Sequence, residues 1–455
     1  MPQAKTTFKT WDEYRIAQAW PAWCLRTAPG LRPGDVYYIG HDEELRLLQR
    51  DEGPQNINAH PFGRPQAFRV NNLSVAVIRA GIGGLATAAA LRRVGVDVTI
   101  YEQAPRFARV GAGIQIGCNA MKVLRAFGLE PNLRAAAFYP RSWNNRDFDT
   151  GEVRFDMIFG EAAEEHYGAP YLLAHRGDLH AALTSVVPEN ALRLDHQFVS
   201  LEQRADGSVG LVFANGVKAD ADAVVGADGV HSVVRDTLFG RDTPAFTGRV
   251  AYRTVFPATL LNGYQIDDCT KWWGPDRRIV IYYVKPDRSE VYFVTSQPEP
   301  GFALESWSAM GDVNVLRAAF TGFHPQVRHV LASCPAAHKR PLVDHDPLPR
   351  WSEGNVTLLG DACHPMTPYM AQGAAMAFED AAVLSRCLDG IDRSGVADAF
   401  RRFESTRKPR TSQVQLGSRT NTWLRNQTNP DWVYSYDAWT APLVDSRRHL
   451  RASRL

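Results

Sequence analysis

The chain has 455 residues, 45% of them hydrophobic and 22% charged, with a formal net charge of +2. That length suits two or three packed units sharing an interface, and the composition is that of an ordinary globular protein. A charge this close to zero, with basic residues scattered except in the terminal stretch DSRRHLRASRL, argues against nucleic acid or an anionic membrane as partner.

Residues 1–70 mix Trp11, Trp20 and Trp23 with Pro, Gly and charge, without a sustained helical or strand period, and read as an N-terminal extension of no assigned role. No methionine lies between Met1 and Met121, so a shorter product starting near Asn71 would need an alternative start codon. From Ser74 the pattern becomes alternating α/β. Ser74–Ile78 reads as a buried strand, 83–94 as a helix closed by Gly95, and 96–102 as a second strand, together one βαβ-type unit. Strand-turn-helix signals recur at 222–235 and 355–388. Between them, at 245–330, VAYRTVF, RRIVIYYV and SEVYFVTS alternate with polar turns as antiparallel strands do. The expected fold is α/β: a Rossmann-like nucleotide-binding domain in two parts, 71–244 and 346–412, interrupted by a mostly antiparallel substrate sheet at 245–345. The first part includes strands shared with that sheet. Residues 413–455 are expected to form a C-terminal helical segment, rich in Trp and Tyr, that packs on the body or on a second copy in a homodimer.

Six cysteines, Cys24, Cys118, Cys269, Cys334, Cys363 and Cys387, never form C-x-x-C, so no zinc ribbon or dithiol centre is expected and a reducing cytoplasm fits. Cys363 and His364 are adjacent but lack further ligands at metal-binding spacing, and no metal is assigned. No apolar run reaches the roughly 18 residues of a membrane helix, and the first 30 residues lack a signal pattern. A soluble, unexported protein is therefore expected.

Three elements carry chemistry. In VAVIRAGIGGL (75–85), Gly81 can let the backbone approach a pyrophosphate, Gly84 can let the helix pack close to the strand, and Glu102, 18 residues beyond Gly84, can accept from ribose hydroxyls. Arg79, however, stands where the first glycine of G-x-G-x-x-G is expected, so this turn alone leaves a ligand-free glycine turn open. VVGADGVHSVVR (224–235) delivers Asp228 into a turn ahead of Ser232 and Arg235. VTLLGDACHPMTPYMAQGAAMAFEDAAVL (356–384) ends a strand at Asp361 and opens a helix at Gly373. Such an Asp can bind a polyol chain, and a helix N-terminus can stabilise charge on a reduced isoalloxazine. Singly, each Asp reads equally well as a helix cap.

Taken together, RAGIGG with Glu102, GADGVHSVVR and GDACHPMTPYMAQGAAMAFEDA resemble the single-component FAD-dependent aromatic hydroxylases of the p-hydroxybenzoate hydroxylase type, over about residues 73–440. RFESTRKPR (402–410) matches that family's helix pattern. GAGIQIGCNAMKVLRAFGLE, AHRGDLHAAL, KWWGPDRRIVIYYV and NTWLRNQTNPDWVYSYD resemble its branch acting on 6-hydroxynicotinate. The resemblance implies FAD contacts at Gly81, Gly83 and Gly84, at Glu102 and Gln103 near the adenosine ribose, and at Arg176 near the pyrophosphate or ribityl chain. It also implies Asp361 on the ribityl and pyrophosphate region and Gly373 with Ala374 at the flavin ring. Asp228 reads as a fold and NADH-access residue, and Arg176 has the plain alternative of a salt bridge to Asp178.

Enzymes of this kind reduce FAD with NADH or NADPH, bind O2 as a flavin hydroperoxide and pass one oxygen to a phenol-like ring. Gln115 falls beside the flavin, where that branch has His; glutamine cannot take a proton at neutral pH. Tyr282 is then the catalytic candidate expected to contact the substrate oxygen, with Gln115 beside it; its plain alternative is an ordinary inward-facing strand aromatic. Arg278, again replacing a His, can clamp a carboxylate, or, next to Arg277 on a strand, can equally face solvent. Cys269, His364, Pro365, Met366 and Tyr369 complete the expected substrate wall. The expected activity is NADH-dependent hydroxylation of a small aromatic or pyridine carboxylic acid resembling 6-hydroxynicotinate, with or without decarboxylation. Salicylate or 3-hydroxybenzoate is the alternative substrate. Arg79 leaves open a flavin-poor, catalytically silent binding protein.

Overall fold

The computed structural model describes residues 73–109, 111–302 and 310–444, together with the backbone of Thr6–Thr7, Val36–Ile39 and Glu44–Gln49. Trp11, Trp20, Trp23, Cys24 and the basic end of the chain lie outside the described residues. The chain divides into two units, Met1–Arg69 and Val70–Leu455. The three short strands of the first form an antiparallel sheet with Glu44–Gln49 in the middle.

The second unit is built on two large sheets. Six strands form the first, in the order Leu192–Arg193, Asp97–Tyr101, Ser74–Ile78, Ala223–Gly226, Val356–Leu358, Ser352–Glu353, parallel except for the last pair. Its central strands are apolar along their length and buried on both faces, as parallel strands covered by helices must be. Helix Ile82–Arg93 connects the first two in sequence and packs along helix Gly373–Leu388. Gly95, at φ +79°, ends the first helix where the pattern expects it.

Eight strands form the second sheet: Met310–Gly311, Ala337–Asp344, Ala245–Pro257, Glu290–Pro298, Arg278–Tyr283, Cys269–Trp273, Ser142–Asp147 and Val153–Ile158. All neighbours are antiparallel except Cys269–Trp273 and Ser142–Asp147. Two of its strands come from 142–158, well before the stretch 245–330 where the alternation is plainest. Helix Val396–Thr420 runs unbroken through Pro409, so the division placed after residue 412 falls inside one helix. Beyond it, Trp423, Leu424, Val433, Tyr434 and Ala438 are buried in the main core. No helix among the described residues is long and apolar enough to cross a membrane.

Candidate active site

Two cavities, of about 510 and 500 Å³, lie where the two sheets meet. The first is built around the turn from strand Ser74–Ile78 into helix Ile82–Arg93. Arg79 donates its backbone N–H to Tyr101 O at 2.7 Å and takes φ +86°, a region that disfavours any side chain. The helix sits hard against this turn: a Cβ on Gly84 would overlap the carbonyl oxygen of Arg79. At Gly81, by contrast, a Cβ would meet no atom within 4 Å, and the space it faces is cavity. Gly81, Ile82 and Gly83 at the start of that helix bound the cavity, and the N–H groups of its first turn have no intrahelical acceptor.

Glu102 is buried at the edge of the same cavity, its Oε2 accepting from Ala80 N at 2.8 Å and its Oε1 from Ala104 N at 2.9 Å. Each oxygen keeps a lone pair for a further donor such as a ribose hydroxyl. Gln103 is exposed and does not bound the cavity, because the chain bends away just after the strand Asp97–Tyr101 ends. Asp228 lines the cavity but spends its carboxylate on the following helix, accepting from Ser232 Oγ at 2.5 Å and Val234 N at 3.1 Å.

Ile82, Arg176, Asp361, Gly373 and Ala374 bound both cavities, so the two spaces meet at this group. Arg176 does not pair with Asp178, whose carboxylate instead binds Arg109 Nε at 2.9 Å and Lys285 Nζ at 2.6 Å. Freed of that bridge, its guanidinium faces the cavities. Loss of hydration and the neighbouring Arg253 push its pKa down, while Asp361 pulls it up. Asp361 is exposed to the space it lines yet lies deep in the protein, and desolvation pushes its carboxyl above the usual range against the fields of His364 and Arg176.

The loop presenting Asp361 is tied down from behind. Asp380 Oδ2 accepts from Gly360 N at 3.2 Å and contacts His364 Nε2 at 2.6 Å, while its Oδ1 binds Arg407 Nε at 2.7 Å. Arg407 also meets Glu379 at 2.8 Å, as does Arg410, and Asn119 Nδ2 donates to Glu379 at 2.7 Å. The atoms of Cys363, His364 and Asp380 come within 4.8 Å of one another, but Asp380 and His364 are committed to this network.

The second cavity is floored by one face of the eight-stranded sheet. Alternation along the strands sends Lys271, then Arg278, Val280 and Tyr282, then Tyr292, Val294 and Ser296, to that face, with Ala251, Arg253, Arg340 and Leu342 beside them. Arg277, one residue out of phase, turns away to pair with Asp276. Gln115, Pro365, Met366 and Tyr369 close the opposite side. Cys269, in register with Tyr282, is buried without reaching the wall, and His364 faces Asp380 instead.

Tyr282 packs against Tyr292 with ring centroids 4.9 Å apart, and its hydroxyl makes no hydrogen bond among the described residues. Burial pushes its phenol well above the ordinary range, so it is neutral at physiological pH. Gly113 makes room for both rings: a Cβ there would lie 2.7 Å from the Tyr282 hydroxyl. Gln115 is fixed by Tyr171, which donates to its Oε1 at 2.6 Å; its amide N–H2 remains for a ligand. Trp143, Arg253, Lys271, Tyr292 and Arg340 were not singled out from the sequence. Strict parity counted from Tyr282 and Arg278 would have found the last four, but only with the strand pairing known.

The FAD binding domain family matches residues 72–417. The chain is 45% identical to 6-hydroxynicotinate 3-monooxygenase of Bordetella bronchiseptica, over 82% of this chain and 98% of that protein. It is 40% identical to 3-amino-4-hydroxybenzoate 2-monooxygenase of Streptomyces cremeus, over 76% of this chain and 86% of that one. Among solved structures, Klebsiella pneumoniae HpxO complexed with FAD and uric acid superposes with a TM-score of 0.69 at 26% identity, covering 81% of this chain and 92% of that chain.

Proposed function

Because the chain belongs to the FAD binding domain family and is an FAD-dependent aromatic-ring monooxygenase, we propose that its substrate is a small aromatic or pyridine carboxylic acid and its reductant NADH. One observation carries the substrate class. Among the residues bounding the second cavity are five basic side chains, Arg176, Arg253, Lys271, Arg278 and Arg340, against a single carboxyl group, Asp361. Such a wall favours an anion and rejects a second cation.

The residues around the first cavity fit FAD. The helix N-terminus at Ile82–Gly84 and the open face of Gly81 would receive the pyrophosphate, Glu102 the adenosine ribose, Arg176 and Asp361 the ribityl chain, and Gly373 with Ala374 the ring. Bound FAD supplies two-electron transfer and oxygen activation. In the overall reaction NADH gives two electrons, and O2 gives one atom to the ring and one to water. A ring hydrogen is replaced by hydroxyl, or, decarboxylatively, the carboxylate leaves as CO2.

The chain's own part is positioning and proton handling. A neutral Tyr282 hydroxyl can donate a hydrogen bond to the ring oxygen and stabilise its ionised form once the proton has passed to solvent, raising electron density ortho and para to it. Gln115, held by Tyr171, orients without accepting a proton. Val280, Val294, Leu342 and Met366 shed water around the ring. The glutamine at 115 and arginine at 278 favour a second reading in which a hydroxybenzoate replaces 6-hydroxynicotinate.

Acid-stimulated NADH oxidation and product analysis over 6-hydroxynicotinate, salicylate, 3-hydroxybenzoate and 3-amino-4-hydroxybenzoate decide between them. At least one acid should raise the rate severalfold with stoichiometric hydroxylated product. No stimulation by any aromatic acid would defeat the proposal, and stimulation by a hydroxybenzoate but not 6-hydroxynicotinate would select the second reading.

A further inference from the structure

Lys271 is 2% exposed and bounds the second cavity. Its ammonium has three donors, yet its one hydrogen bond is a long one, 3.4 Å to Tyr369 O, and no carboxylate pairs with it among the described residues. It rests 4.0 Å above the ring of Trp273. A cation over an aromatic face recovers only a fraction of what burying an ion costs, so a buried lysine this poorly partnered is either uncharged or awaiting an anion. Desolvation, reinforced by Arg278, pushes its pKa well below the ordinary lysine value.

Arg278 shares the same platform. Its guanidinium lies 5.1 Å from the Trp273 ring and 5.2 Å from Tyr369. Nη1 donates to Asn421 O at 2.8 Å, but Nε is buried with no partner among the described residues. Strand register puts Trp273 opposite Arg278 and Lys271 opposite Val280, so both cations flank one indole on the cavity face. Tyr282, on the same strand as Arg278 and four residues on, has its hydroxyl beside Gly113, on the strand Gly113–Ile116 that carries Gln115. A substrate lying along this strand thus meets Tyr282 at one end and the two cations at the other.

We propose that Lys271, with Arg278, forms the carboxylate-recognition subsite and that Lys271 sets the preference for acids over neutral analogues. The proposal rests on the aromatic-acid reading above. Its test compares the affinities of wild type, Lys271→Met and Lys271→Gln for 6-hydroxynicotinate and 3-hydroxybenzoate and for the matching carboxamides, measured by perturbation of the flavin spectrum in the FAD-loaded enzyme. Losing one partner of a buried charge pair should weaken acid binding at least about thirtyfold while leaving carboxamide binding within about threefold, so acid selectivity collapses. A merely structural lysine would lower acid and amide affinity together, and that outcome overturns the proposal. Retained acid selectivity in both variants also overturns it while sparing the aromatic-acid reading. A wild-type enzyme that binds acids no better than amides defeats that reading itself.

Discussion

At Arg79 a single side chain occupies a backbone conformation that favours glycine, φ +86°. Such a residue costs roughly 1–3 kcal/mol, whereas the attraction of a half-exposed guanidinium for a phosphate is about 1 kcal/mol in a watery setting. The strain weighs on the fold whether or not FAD is bound, so Arg79→Gly should raise stability by about 1–3 kcal/mol, read in thermal melts of the flavin-free protein, and weaken FAD binding by no more than about fivefold. An unchanged melting temperature would show that the turn relaxes around the arginine at no cost. Tyr282 presents to the second cavity a hydroxyl without a protein partner among the described residues. Tyr282→Phe removes only that oxygen, so kcat should drop about a hundredfold with little change in acid affinity. A variant that hydroxylates at the wild-type rate would reduce Tyr282 to a wall residue.

Helices Gly373–Leu388 and Val396–Thr420 are joined by Glu379, Asp380, Arg407 and Arg410, the first three wholly buried, and through Asp380 they hold the Gly360–Asp361 loop in place. Burial alone would raise both carboxyls, but Arg407 together with Arg410 at Glu379, and His364 together with Arg407 at Asp380, outweigh it and hold both below the usual range. A depressed carboxyl stabilises the fold above its unfolded pKa, near 4, and that stability is lost as pH falls through the lower folded value. Acid denaturation of the wild type should thus steepen below about pH 4. Asp380→Asn should cost about 3–5 kcal/mol, because Arg407 is left buried with half its countercharge. Thermal melts across pH would check both: the variant should melt lower at pH 7 and show a flatter acid limb. An equally steep limb would place the titrating groups elsewhere.

Within the unit Val70–Leu455, one cavity meets a glycine-rich turn and three helix N-termini while the other meets a sheet face studded with basic side chains, and they share Arg176 and Asp361. Reading along the chain reaches part of the first of these, since a buried parallel strand, a tight turn, an acidic strand end and a helix start are each written within about twenty adjacent residues, whereas Phe107, Ala108 and His180 join its lining only through folding. Period-two alternation likewise announces the antiparallel strands. What alternation leaves open is which strands adjoin and which of their faces looks inward. Lys271, Arg253 and Arg340 sit on three different strands and become one wall only through pairing between distant segments. The same non-local choices decided that Arg176 is free while Arg109 and Lys285 hold Asp178, that Gln103 faces outward, and that Cys269 stops short of the wall. Cofactor class is thus a local property of this chain, carried by contiguous backbone geometry. Substrate charge is a tertiary one, because it depends on side chains from several strands facing the same small volume.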